Sequence, residues 1–273
     1  TMIKITTVLM AAWSRRAVKR EGSRAPHVVE RFLQRLIKEQ DHGNQLVTIN
    51  TSLYNKVLDA WANSNEEGSA ERNEQILMRM EQMFLQDENE CVKPDVSSYN
   101  AVIKAYVKNG NRYMAATKAA SIIQRMENQL DTMGVSPNRR SYNLLLYAFA
   151  NSNLEDAASH AEDILHRMWA RYQDGDAFCK PDTNSYNQVL TAWARGNSAG
   201  FEDHMQTIYE ELVNLPEEMA IRPNADTFNA VMGGWLKSDN PSTLERIRSI
   251  LKTMEHSYAS GNDAAKPDRV TIN

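Results

Sequence analysis

The feature that most constrains the fold of this chain is an internal repeat of about 44 residues. A short phrase ending in asparagine recurs with spacings of 45, 43, 44, 42 and 44 residues. An earlier copy, aligned through Trp13, has Thr7 in place of the asparagine. A period of this size is typical of a repeat architecture. The copies are Leu53-Tyr54-Asn55, Ser98-Tyr99-Asn100, Ser141-Tyr142-Asn143, Ser185-Tyr186-Asn187, Thr227-Phe228-Asn229 and Thr271-Ile272-Asn273.

Each repeat contains two helical patterns. Tyr99, Val102, Ile103 and Tyr106 recur at i, i+3, i+4 and i+7, which predicts one buried helical stripe, helix A. A second stripe, helix B, carries a repeated apolar pair and a methionine or leucine that we expect in the core. A proline ends each copy of helix B. The hydroxyl residues before the helix A stripes are predicted N-caps: Ser98, Ser141, Ser185, Thr227 and Thr271.

Two short helices cannot bury their apolar stripes alone, so neighbouring pairs must stack on one another. We therefore expect an all-α fold without strands, a right-handed superhelical solenoid of helix-turn-helix repeats. It forms a single domain over residues 1–273, with repeats at approximately 3–50, 51–95, 96–138, 139–182, 183–224 and 225–268, and 269–273 opening another. Because Thr1 runs into a periodic segment, we expect the chain to be part of a longer protein.

Composition excludes several classes of function. With 42% hydrophobic and 24% charged residues, the chain resembles an ordinary folded protein, and its apolar runs are too short to span a membrane. The six histidines lack metal-ligand spacing, and no nucleotide-binding or hydrolase motif occurs. Cys91 and Cys179 are expected to be unpaired thiols. The sequence predicts no catalytic residue, no metal and no cofactor, so the protein is not expected to be an enzyme.

These residues resemble one known family. A repeat that opens with Ser or Thr, an aromatic residue and Asn, carries Met in helix B and ends in Lys-Pro-Asp is similar to the pentatricopeptide repeat, although these copies exceed the usual length of about 35 residues. Proteins of that family bind single-stranded RNA one base per repeat. The resemblance implies an RNA-binding adaptor in RNA processing, stability or translation, located in a mitochondrion or plastid. It also implies partners among RNA-processing proteins.

The resemblance also implies which residues read the bases, namely the fifth and the last of each repeat. A register of A-U-Y-U-Y-U follows, where Y is a pyrimidine, so the RNA is pyrimidine-rich. The fifth residues are Thr7, Asn55, Asn100, Asn143, Asn187 and Asn229, and the last residues are Asn50, Asp95, Asn138, Asp182, Asn224 and Asp268. A purely structural interpretation competes with this one, because Asn and Asp commonly cap helices and begin turns.

Two further rows of residues bear on the function. Eight residues after the fifth positions, four side chains are cationic and are predicted to contact phosphate, namely Arg15, Lys108, Arg195 and Lys237. The second positions, where the family usually has aliphatic residues, are polar here: Lys4, Ser52, Ser97, Arg140, Asn184 and Asp226. With a net charge of −4 and a pI near 5.9, these polar positions favour the alternative of a protein-binding helical-repeat scaffold.

Overall fold

The structure is a computed structural model that describes residues 25–44, 47–196 and 200–272. Its described part contains α-helices and four short 3₁₀ turns, with no strand, which confirms the all-α prediction. The helices are α1 (Ala25–Asp41), α2 (Thr51–Asn63), α3 (Ser69–Asp87), α4 (Val96–Asn109), α5 (Arg112–Asn128), α6 (Leu130–Met133), α7 (Arg139–Ala150), α8 (Ala157–Gln173), α9 (Thr183–Arg195), α10 (Phe201–Val213), α11 (Ala225–Trp235), α12 (Thr243–Ala259) and α13 (Arg269–Ile272).

The chain divides into two compact units, residues 1–144 and 145–273. In the first unit, α2 packs against α1, α3 and α4, and α4 packs against α3 and α5. Fully buried Leu58, Met80 and Ile103 lie among these helices. Helix α2 therefore contacts its own helix B, the preceding helix B and the next helix A, which is how a helical-repeat stack buries both stripes.

The second unit repeats this arrangement. Helix α9 packs against α8, α10 and α11, while α11 packs against α10 and α12. Met168 and Met254 on the helices B are fully buried, as are Val189 and Val231 on the helices A. The predicted core role of the helix B methionines is thus confirmed in both units. The repeat boundaries stay a prediction.

The helix A caps differ from the sequence prediction. The N-caps are Asp95, Asp182 and Asn224, each of which accepts a hydrogen bond from the backbone amide three residues later. The hydroxyl residues that we predicted as N-caps, Ser98, Ser141, Ser185, Thr227 and Thr271, lie three residues after the last residue of a repeat. The prediction was wrong because each helix begins one turn before its buried stripe.

A polar cluster recurs where helix A meets the preceding helix B. Trp61 Nε1 donates to Glu30 Oε2 at 2.9 Å, and Arg72 Nε donates to the same oxygen at 3.2 Å. Trp193 Nε1 donates to Glu162 Oε2 at 2.9 Å, and His204 lies 3.1 Å from that oxygen. Each glutamate therefore satisfies a buried aromatic donor and contacts a second nitrogen-bearing side chain, which is Arg72 in the first cluster and His204 in the second.

A third cluster of this kind forms around Glu74. Tyr106 donates a short hydrogen bond to Glu74 Oε2, and Lys118 Nζ lies 3.0 Å from that oxygen. Burial opposes ionisation of Glu74, but the hydrogen bonds from Tyr106 and Lys118 outweigh burial and lower the pKa of this carboxyl from its ordinary value. The carboxylate is therefore the form that this cluster stabilises.

Trp235 lacks the glutamate that the other clusters have. Its ring is 2% exposed, and its Nε1 has no hydrogen-bond partner among the described residues. Gln206, two residues before Ile208, occupies the position that Glu162 has relative to Ile164. Gln206 Nε2 donates instead to Glu210 at 2.6 Å. A buried donor is thus left unsatisfied, which costs about 1–3 kcal/mol.

We predict that Gln206→Glu stabilises the protein. A carboxylate at this position would accept from Trp235 Nε1, and Arg246, which lies 4.8 Å from the centroid of the Trp235 ring, would offset its charge. We expect the free energy of unfolding to rise by about 1 kcal/mol, measured by urea denaturation at neutral pH. The matched control is Gln206→Met, which has similar volume and no acceptor. Equal stability of the glutamate and methionine variants would contradict the prediction.

Candidate nucleic-acid interface

A hydrogen-bonded junction links the helix A of one repeat to the helix A of the next. Asn55 Nδ2 donates to the two carboxylate oxygens of Asp95 at 3.1 and 3.3 Å. Ser98 Oγ donates to Asn55 Oδ1 at 2.7 Å. Asp95 at the same time caps α4 by accepting from the Ser98 amide at 2.9 Å. One asparagine amide therefore joins a helix cap to the preceding helix.

Two junctions in the second unit have the same geometry. Asn187 Nδ2 donates to Asn224 Oδ1 at 3.0 Å, and Thr227 Oγ1 donates to Asn187 Oδ1 at 2.6 Å. Asn229 Nδ2 donates to Asp268 Oδ1 at 3.2 Å, and the hydroxyl of Thr271 completes that junction at 2.9 Å. The structure thus brings the fifth and last residues of repeats 51–95, 183–224 and 225–268 into direct contact.

The remaining predicted base-reading residues are placed less uniformly. Asn100 is 5% exposed, and its Oδ1 has no hydrogen-bond partner among the described residues. Asn138 accepts from the Ser141 amide at 3.1 Å, so it caps α7. Asn50 and Asp182 are the N-caps of α2 and α9. Asn143 is half-buried on α7. Thr7 lies outside the described residues.

The paired side chains keep unused hydrogen-bonding capacity. An asparagine amide has two N–H donors and a carbonyl oxygen with two lone pairs. The two Asp95 oxygens belong to one carboxylate, so they can share one N–H of Asn55, and the bond from Ser98 uses one lone pair. The Asp95 residue is exposed, so its carboxylate can accept further bonds. Hydrogen bonding from the amide of Thr271 lowers the pKa of the equivalent Asp268 from its ordinary value. This pair of residues can therefore present both a donor and acceptors to one ligand.

The predicted phosphate-contacting cations lie at the other end of helix A. Lys108 Nζ donates to the carbonyl oxygen of Asn63 at 2.5 Å, and Lys237 Nζ donates to that of Ala194 at 2.8 Å. Arg195 Nη1 donates to the Ala150 carbonyl at 3.1 Å. Each cation thus binds the C-terminal end of the preceding helix A, where the helix dipole is negative. Arg15 lies outside the described residues.

These cations remain accessible to a ligand. Lys108, Arg195 and Lys237 are all exposed. Partial burial and then repulsion by Lys104 lower the pKa of Lys108 from its ordinary value. Lys104 itself donates to Asn63 Oδ1 at 2.6 Å, a contact that the sequence did not indicate. Two positive charges therefore converge on the end of α2, which is a favourable position for an anion.

Other chemistry has little support in this part of the chain. Among the described residues, no group of three or more His, Cys, Asp or Glu side chains could hold a metal ion. The described helices include none with the length and apolar character needed to cross a membrane. Cys91 is exposed, Cys179 is buried, and neither forms a disulfide; the Cys179 thiol donates to Asp176 Oδ2 at 3.2 Å. The polar residues at the second positions of the repeats are also exposed, namely Ser52, Ser97, Arg140, Asn184 and Asp226.

The helix pairs and their junctions define a class, the helical-repeat proteins. Within that class, the family model described as the pentacotripeptide-repeat region of PRORP matches residues 36–173, half of the chain. The chain therefore belongs to the pentatricopeptide repeat family, in its long-repeat form, which confirms the resemblance seen in the sequence. Comparison with curated protein sequences found no match.

Comparison with solved structures bears on the fold. The crystal structure of the pentatricopeptide repeat protein PPR10 from maize has a TM-score of 0.50 and 20% identity, covering 97% of this chain and 30% of that chain. The structure of PPR10 in complex with an 18-nt psaJ RNA element has a TM-score of 0.47 and 23% identity, covering 98% of this chain and 35% of that one. This chain thus spans about a third of each, and the first likeness shows the shared helical-repeat fold.

We predict that Asp95→Ala destabilises the first unit while Asp95→Asn does not. Alanine removes both the cap on the Ser98 amide and the acceptor for Asn55, whereas asparagine keeps an oxygen for both, as Asn224 does. Loss of an N-cap costs about 1 kcal/mol, which urea denaturation can resolve. The control is Asp131→Ala at an exposed position of α6. An Asp95→Ala variant as stable as the wild type would show that the junction contributes nothing to folding.

Proposed function

We propose that this protein binds single-stranded RNA along the helix A surface and reads one base per repeat. The observation that supports this most is the direct pairing of fifth and last residues in three repeats, with donors and acceptors left unused. The family to which the chain belongs reads RNA one base per repeat through two or three side chains. The exposed cations at the ends of the helices A supply the attraction for phosphate.

The chemistry of the pairs accounts for the expected register. Uracil presents an N–H donor between two carbonyl acceptors. The Asn55–Asp95 pair matches this edge, because the carboxylate accepts from the N–H while the free amide hydrogen donates to a carbonyl. In the Asn187–Asn224 pair the last residue is an amide, which can donate or accept and therefore admits either pyrimidine. With Thr7 and Asn50 reading adenine, repeats 3–50 to 225–268 read A-U-Y-U-Y-U.

The biological role that follows is that of an adaptor. A protein that covers a single-stranded segment changes the access of nucleases, ribosomes or processing enzymes to it. The described residues that form the interface lack paired catalytic groups, so we assign no reaction to this surface. The family favours a mitochondrion or plastid as the location, and RNA-processing proteins as further partners.

The first test is binding of the protein to a single-stranded AUCUCU-containing RNA, a scrambled RNA and the matching DNA duplex across a salt series. We expect preference for the first RNA and an affinity that falls with salt, because the cations release counterions from phosphate. Absence of binding to all three at low salt would contradict the proposal. It would favour the protein-binding scaffold, which the acidic net charge of −4 and exposed Asp226 support.

A change of base preference gives a sharper prediction. The double variant Asn55→Thr with Asp95→Asn gives repeat 51–95 the pair that reads adenine in repeat 3–50, and it keeps an N-cap on α4. We expect the preference at the second base to change from uracil to adenine by about tenfold, measured by anisotropy with two RNAs that differ only there. The matched control is Asn128→Thr with Asp131→Asn, at exposed positions outside helix A. An unchanged preference for uracil would contradict one-base reading by this pair.

A further inference from the structure

Tyr147 is an exposed aromatic residue on a helix whose other aromatic side chains, Tyr142 and Phe149, are buried. It is 46% exposed, while its neighbours Leu146 and Phe149 on α7 are 0% and 7% exposed. Exposing an aromatic ring to water forgoes the stabilisation that burial would give. Within the part of the chain that the structure describes, no hydrogen bond or ring contact fixes the Tyr147 side chain, so its exposed ring is available to a ligand.

Tyr147 lies on the surface of α7, which is the helix A of repeat 139–182. It follows Asn143 by four residues in α7, so the two side chains are neighbours on one helical face, with Cβ atoms roughly 6 Å apart. The equivalent residue in every other described repeat is not aromatic. Those residues are Asp59, Lys104, Thr191 and Gly233.

A positive group adjoins the same end of the helix. Asn151 Nδ2 donates to the Tyr147 carbonyl at 2.8 Å, and Arg195 Nη1 donates to Asn151 Oδ1 at 2.6 Å. The exposed guanidinium of Arg195 thus lies at the end of α7, one turn along the backbone from Tyr147. An aromatic face beside a cation is the combination with which proteins hold single-stranded nucleic acid, because bases stack on the ring while the cation attracts phosphate.

We propose that Tyr147 is a base-stacking residue, which holds the nucleobase read by repeat 139–182 against its ring. This inference rests on the proposed function and adds to it the contact that determines affinity. The side chains at exposed second positions, such as Ser97 and Asn184, offer no aromatic face. The fourth nucleotide of the register is therefore held by stacking as well as by its edge, and it contributes more to affinity than its neighbours do.

A double-mutant cycle tests this contact. The variants are wild type, Tyr147→Ala and Tyr147→Phe, and the RNAs are the hexamer of the register and the same hexamer with an abasic fourth nucleotide. We expect Tyr147→Ala to weaken binding of the intact RNA by about 5- to 100-fold and to leave binding of the abasic RNA unchanged. Phenylalanine keeps the ring and should bind within about twofold of the wild type. The control is Tyr113→Ala, a tyrosine at the start of α5 that is 55% exposed.

A variant that is expected to bind RNA more tightly completes the experiment. Thr191→Tyr places a ring at the equivalent position of α9, and we expect it to tighten binding of the intact hexamer by about fivefold or more. Equal affinity of wild type and Tyr147→Ala for the intact RNA would overturn the stacking role and leave the proposed function standing. A wild-type protein that binds no RNA would overturn both. Selective loss of a bound protein by Tyr147→Ala would then identify the tyrosine as part of a protein-binding surface.

Discussion

The hydrogen bond from the asparagine of one helix A to the last residue of its repeat is the interaction on which the rest of the structure depends. Asn55 in the first unit and Asn187 in the second each donate to a residue that is itself the N-cap of the following helix A. A substitution at either partner therefore affects a helix start and an inter-repeat contact together. This coupling gives a structural reason for the asparagine at the helix starts where the pairing is seen, and it pre-organises the side chains proposed to read bases.

The exposed cations also have two roles, since they bind helix ends in the structure and are proposed to attract phosphate. Lys108, Arg195 and Lys237 bind carbonyl oxygens at the end of the preceding helix A, so their positive charges are already partly offset before any ligand arrives. Phosphate would have to share these groups with the helix ends. Together with a net charge of −4, this sharing limits the sequence-independent affinity. Under the proposed function, base contacts and stacking would then supply a larger part of the binding free energy.

The repeat period, the helix pairs and the buried methionines could be predicted from the sequence because each depends on local periodicity. The caps were misplaced because a buried stripe reveals where packing begins, whereas Asp95 starts the helix one turn earlier. The pairing of Trp61 with Glu30 and of Tyr106 with Glu74 could not be predicted. The partners are 31 and 32 residues apart, and this separation changes with the loop after each helix B. The exposure of Tyr147 likewise depends on which face of α7 its neighbours cover.

The most direct test of this account is the nuclear magnetic resonance spectrum of the asparagine side-chain amides during titration with the single-stranded RNA hexamer. We expect the Nδ2 signals of Asn55, Asn187 and Asn229 to shift on binding, because their free hydrogens meet base edges. The exposed Asn128 and Asn153 provide internal controls that should not move. Tight binding that leaves the three junction amides unchanged, or that shifts only residues of the helices B, would contradict the claim that these junctions read RNA.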